Sequence, residues 1–128
     1  MRVGDIYWVN LPPRGGHAQA GRRPAIVAQV VEQTPSLSTV ILIPLTTQLD
    51  ALRFPGTMLI QPDSRNGLKR PSVALVFQIA AIDRRFLDAP VGRISESAMQ
   101  SIWEALDKLT GRSVAEGASI GVQIVQQS

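Results

Sequence analysis

The sequence predicts a mainly β (α+β) domain, built as a small, partly closed β-barrel with one helix towards its C-terminal end. Three observations carry this. Short apolar, β-branched runs recur as far as Arg93, glycine- and proline-rich breaks separate them, and only one segment has the 3.6-residue periodicity of a long amphipathic helix. Consecutive strands without intervening helices favour a sheet that curls around a single core. A chain of 128 residues has room for one such domain.

Ile6-Tyr7-Trp8-Val9-Asn10-Leu11 is aromatic and β-branched, and Pro12-Pro13 stops it, which marks a strand. Arg14 to Arg23 is too glycine-rich for regular structure and is expected to be a mobile loop. Pro24 opens Ala25 to Val31, an apolar run expected to form a strand buried on both faces. Val40 to Leu45 is the next strand, with Pro44 pointing to a strand end, edge or bulge because it cannot donate a ladder hydrogen bond. Thr46 to Gly56 is expected to be a loop, 57–61 a strand, Pro62 to Pro71 a polar loop, and 73–79 another apolar strand. Short strands are expected around Ile82-Asp83 and 91–94. The helix begins at Ser95 as N-cap, presents Met99, Ile102, Trp103 and Leu106 on one face, and ends at Gly111. Trp103 reads as a core anchor. Ser113 to Ser128 carries an apolar patch at Ile120, Val122, Ile124 and Val125, consistent with a tail or an added strand.

Composition narrows the chemistry. Without cysteine there is no disulfide scaffold and no thiolate metal site, and a single histidine removes the usual zinc sets. The acids are scattered singly, so no two-metal carboxylate cluster is visible. No P-loop, dinucleotide fingerprint or nucleophile elbow is present. No stretch reaches the roughly 18 apolar residues of a membrane span, and the first residues lack a signal-peptide pattern, so a cytoplasmic protein is expected.

Charge is unevenly placed. Up to Arg93 there are eleven basic side chains against six acidic ones, and thereafter two against four. Eleven of the thirteen cations are arginine, whose planar fork suits phosphate oxygens and base stacking. What chemistry remains is concentrated in two places. Gly16-His17-Ala18-Gln19 leads to Gly21-Arg22-Arg23-Pro24, and the strand ending at Leu45 delivers Thr46-Thr47. Pro24 holds Arg23 extended at a strand entrance, while the threonines sit at a strand exit. An arginine meeting a hydroxyl there makes a phosphate site; the competing reading pairs Arg23 with a carboxylate and leaves the threonines to cap a turn.

These elements resemble the MazF/PemK toxin family. The resemblance rests on Gly4-Asp5-Ile6-Tyr7, Gly16-His17-Ala18-Gln19, Gly21-Arg22-Arg23-Pro24, Pro44-Leu45-Thr46-Thr47, Ser72-Val73-Ala74, Gln78, Ile82-Asp83 and the helix, in the family's order. It implies a toxin domain over 2–111, followed by a tail or strand over 112–128. It also implies an SH3-like barrel that forms a homodimer and needs no cofactor. The implied activity is cleavage of single-stranded RNA, mRNA included, by attack of the 2′-hydroxyl, leaving a 2′,3′-cyclic phosphate and a 5′-hydroxyl. A cognate antitoxin is implied, with DNA binding by the toxin–antitoxin complex.

By position, Arg23 matches the family's catalytic arginine, Thr46 its catalytic hydroxyl residue and His17 a loop residue used in catalysis in some members. Thr47 matches the neighbouring hydroxyl. RNA contacts are expected at Gln19, Arg22, Thr47, Arg53, Phe54 and Gln78. Chemically, Arg23 suits stabilisation of phosphoryl charge, Thr46 can hydrogen-bond a phosphoryl oxygen, and His17 alone titrates near neutrality. One position departs: several members carry an acid before the glutamine matched by Gln78, where this chain has Phe77. A non-catalytic RNA-binding regulator and a gyrase-poisoning toxin of the same fold are the alternatives.

Overall fold

The computed structural model describes residues 1–13 and 21–112. Seven strands and one α-helix follow in order: β1 (Asp5–Leu11), β2 (Gly21–Val27), β3 (Thr39–Thr46), β4 (Thr57–Ile60), β5 (Ser72–Leu75), β6 (Ala80–Asp83), β7 (Leu87–Arg93) and α1 (Glu96–Thr110). All the pairings are antiparallel, in the order β4-β5-β3-β2-β1-β7, with β6 also paired to β3. The ladder does not close, since β4 and β7 are not hydrogen-bonded neighbours.

Prolines decide how the central strands part. Ala28 donates to the carbonyl of Ile41, and alternation along the β2–β3 register then leaves Ala25 and Pro44 as a pair without mutual hydrogen bonds. The ring nitrogen of Pro44 therefore faces the opposite edge of β3. There β3 changes partner, from β6 up to Leu42 to β5 from Leu45 onward. A missing donor is tolerated at that junction, so Pro44 sits inside a central strand and not at an edge. Pro24 falls where the next β2 donor to β3 is due, and the β2–β3 ladder stops at Ala25. Beyond it the two strands are no longer tied together.

β2 differs from the sequence expectation at both ends. It begins at Gly21, so Arg22 and Arg23 are strand residues paired with Asn10 and Val9 and not part of a loop. It ends at Val27, and Val31 opens a short 3-10 turn. The run at 73–79 likewise leaves the strand after Leu75, with Val76–Gln78 forming another turn, and Leu49–Arg53 makes a third within the expected 46–56 loop. Apolar content predicted burial there, but not chain direction.

The sheet buries both faces of its centre, as the apolar run in β2 requires. Ile6, Ile26, Ile43, Leu45, Ile60, Ala74 and Val76 pack with Ile94, Met99 and Ile102 on the helix side. Val9, Leu11, Ala25, Val27, Val40, Leu42 and Ile82 pack on the other. In β1, Ile6 and Val9 are three apart and so point to opposite faces of a regular strand, one to each core. The β1–β7 register slips on either side of Tyr7, with the extra residues in β7, and Pro90 lies opposite Tyr7 at this irregularity.

The helix follows its sequence signals. Ser95 accepts from the amide of Ala98 at 3.1 Å, and Gly111 ends the helix at φ 80°. Trp103 and Leu106 are half-buried against the helix-side core.

The gap between β4 and β7 is occupied by the β4–β5 loop. Asp63 accepts from the amides of Arg65 and Asn66, which hold its carboxylate below the usual range. Because the ionised form is favoured, this cap is present at neutral pH and is lost only as pH falls through that lowered pKa. Asn66 is buried and bonds the carbonyl of Gln61 and the amides of Asp63 and Leu68. Arg93 of β7 donates its amide to Arg65 at 3.0 Å, so loop and strand are joined through backbone.

Candidate active site

A cleft of about 520 Å³ opens where β2 and β3 separate. Trp8 of β1, Arg22, Arg23 and Pro24 of β2, and Leu45, Thr46 and Thr47 at the end of β3 form part of its wall. The β4–β5 loop supplies the rest through Gly67 to Arg70, together with Ser72 and Val91. Arg23, two residues before Ala25, and Thr46, two residues after Pro44, both line this cleft. Ala25 and Pro44 are cross-strand partners, and alternation along each strand directs Arg23 and Thr46 to the face those two share.

Thr46 is only 4% exposed, and β5 anchors it through its pairing with Val73. Its Oγ1 accepts from the amide of Gln48 at 3.2 Å. A threonine hydroxyl that accepts a backbone bond still has its proton to donate. Arg22 lies over the indole of Trp8, its guanidinium carbon 4.4 Å from the ring centroid, and pairs with Asp88 at 3.1 Å. Register explains this: Trp8 pairs with Pro24 and Asn10 with Arg22, so Trp8 and Arg22 are diagonal neighbours across β1 and β2.

The lining residues include four cations (Arg22, Arg23, Lys69 and Arg70) and no carboxylate. Among the described residues, no group of three or more histidine, aspartate or glutamate side chains is placed to hold a metal ion. The described wall is electropositive, and its polar side chains are guanidinium, ammonium and hydroxyl groups.

Of the residues expected from sequence, the fold brings together Arg22, Arg23, Thr46 and Thr47. His17 and Gln19 lie outside the described residues, as does the 113–128 segment. Arg53 and Phe54 are not in the cleft wall; they belong to a second cluster after β3. There Arg53 stands over the Phe54 ring at 4.8 Å, and the Phe54 and Phe77 rings are 5.9 Å apart. Gln78 follows Phe77 in the same 3-10 turn. Phe77, at the place of the acid in several members, is exposed and outside the cleft wall. Sequence reasoning missed Trp8. The Trp8 indole reads as an ordinary strand aromatic until its cross-strand neighbour is known.

The profile of the family described as PemK-like, MazF-like toxin of type II toxin-antitoxin system matches residues 2–110. The chain belongs to the PemK/MazF toxin family. Endoribonuclease EndoA of Bacillus subtilis is 32% identical over 106 residues, spanning 83% of this chain and 90% of that protein. Endoribonuclease MazF of Staphylococcus saprophyticus is 30% identical over 107 residues, spanning 84% and 88%. The solved structure of MazF from Deinococcus radiodurans superposes with a TM-score of 0.73 at 23% identity, over 87% of this chain and 96% of that one. A mycobacterial endoribonuclease in complex with its cognate antitoxin superposes with a TM-score of 0.67 at 20% identity, over 89% and 98%. The PemK/MazF fold thus accounts for the antiparallel sheet and the closing helix. No helix among the described residues is long and apolar enough to cross a membrane.

Proposed function

We propose that this chain is the endoribonuclease toxin of a toxin–antitoxin pair, cutting single-stranded RNA in the cytoplasm by a metal-independent route. A cleft wall that holds Arg23 and Thr46 together and, among the described residues, no carboxylate carries this reading. An RNA backbone brings the negative charge such a cleft attracts. The 2′-oxygen attacks the adjacent phosphorus, the P–O5′ bond breaks, and a 2′,3′-cyclic phosphate and a 5′-hydroxyl result. One proton leaves the 2′-hydroxyl and one reaches the departing 5′-oxygen. Arg23 offsets charge on the non-bridging oxygens, and the Thr46 hydroxyl donates to one of them. His17 is assigned the proton transfer, as the one side chain with an unperturbed pKa near neutrality. The antitoxin silences the toxin by covering this cleft.

The test is cleavage of generic single-stranded RNA in excess EDTA, with product ends analysed. Undiminished cleavage leaving cyclic phosphate ends is expected; activity lost on chelation and restored by magnesium or manganese would overturn the route. RNA bound but never cut would favour the non-catalytic regulator, which Phe77 in the place of the acid also favours. Gyrase inhibition without RNA cleavage would favour the gyrase poison.

We also propose a homodimer. The apolar residues of the 25–31 and 40–45 runs are buried within the single chain, Val30 and Ile41 excepted. Exposed apolar side chains lie instead at Leu49, Leu52, Phe54 and Phe77, and at Val30, Leu37 and Ile41. Sedimentation at micromolar concentration should give twice the monomer mass, and a monomer alone would refute the dimer.

A further inference from the structure

Arg22 is held on two sides. The Trp8 indole covers one side of its guanidinium, with the ring centroid 4.4 Å from the central carbon. Asp88 takes one edge at 3.1 Å. The Arg22 side chain nevertheless keeps 48% of its surface exposed. A guanidinium is flat, so fixing one face and one edge leaves the other face as an oriented platform at the wall of the cleft. Its charge is already partly answered by Asp88, which lowers its value as a phosphate ligand. Its plane is not used up.

We infer that Arg22, set on Trp8 and steered by Asp88, is a stacking platform for a nucleobase of the RNA, and so contributes to base selection and not to phosphate binding. This rests on the RNA-cleaving reading above and adds a role for one wall of the same cleft. Unpaired bases of single-stranded RNA stack readily on aromatic rings and on arginine planes. An indole–guanidinium pair offers both in one stack, so a base on the free face of Arg22 becomes the third layer. Trp8 and Asp88 are positioning residues, since they act through Arg22. The cost of ordering a long side chain has been met before RNA arrives, which favours binding.

Lysine separates stacking from charge, because it keeps the cation and lacks the plane. The probes are 2′-O-methyl RNA homopolymers, which the 2′-hydroxyl route cannot cut, and an abasic 2′-O-methylribose phosphate polymer of equal length. Wild-type protein should bind at least one base-bearing polymer about ten- to a hundredfold more tightly than the abasic one. Arg22→Lys should bind the abasic polymer as wild type does while losing most of that preference. In a Trp103→Phe background, where Trp8 is the remaining indole, its fluorescence should change with the base-bearing polymer and much less with the abasic one. An equal preference for bases in wild type and Arg22→Lys would overturn the inference, as would a uniform loss of affinity for both polymers with the preference intact. If no polymer bound at all, the RNA reading itself would fall along with it.

Discussion

Replacing Arg23 with alanine should lower single-turnover RNA cleavage by roughly 10² to 10³. Arg23 and Thr46 both line the cleft that opens where β2 and β3 part. Charge developing on the phosphoryl oxygens there meets no carboxylate in the lining, so a fixed guanidinium is felt strongly. Arg23→Lys should restore little, because a point charge does not reproduce the planar fork. Thr46→Ala should also slow cleavage, at a stability cost of about 1 kcal/mol, because removing the buried hydroxyl strands the amide of Gln48. His17→Ala tests the proton transfer: a loss of about 10² or more and a lost pH dependence near neutrality are expected. RNA affinity should change less than rate in all of these. Single-turnover rates with saturating RNA, set beside measured Kd values, decide the matter. An Arg23→Ala protein that cleaves at the wild-type rate would remove the arginine from the chemistry.

Gly67→Ala should damage fold and RNA binding together. Gly67 has φ 70°, and a Cβ there would fall on the backbone carbonyl of Val91 in β7. Across the same contact, a Cβ on Gly92 would meet the backbone of Arg65 and Asn66. Loop and strand therefore touch backbone to backbone, and neither can yield as a flexible side chain would. The expected loss is about 2 kcal/mol or more, or roughly 10 °C in Tm. Lys69 and Arg70 ride on this loop into the cleft wall, so RNA binding should weaken and its salt dependence become shallower by about one to two charges. Gly111→Ala is the control, because its φ of 80° carries the same backbone strain while a Cβ there meets nothing within 4 Å. It should cost about 1 kcal/mol and leave RNA binding alone. Unchanged Tm and salt slope in Gly67→Ala would show that the loop does not depend on this contact.

Local rules made some features legible in the sequence. Strand existence followed from β-branched runs, and both helix ends from Ser95 and Gly111, because propensity and capping act over a few residues. Strand ends were less legible. The apolar runs through Val31 and Ile79 signalled burial, yet Val31 and Val76 are buried in 3-10 turns. Burial does not distinguish a turn packed on a core from a strand within it. Pro44 shows the same limit: the missing donor was evident, but the harmless place for it is a partner switch between β6 and β5 that no local signal reports.

The sequence by itself determined a β-rich domain with a closing helix, an arginine-rich body, and the motif residues Arg23 and Thr46. Tertiary structure alone decided the site they make. The fold put Arg23 and Thr46 in one cleft wall, laid Arg22 on Trp8, brought Lys69 and Arg70 to that wall, and left Phe54 and Phe77 outside it. Those contacts join residues tens of positions apart, and their geometry is set by register, by bulges and by close backbone contact. A one-residue shift in any of these would turn the same side chains to the other face.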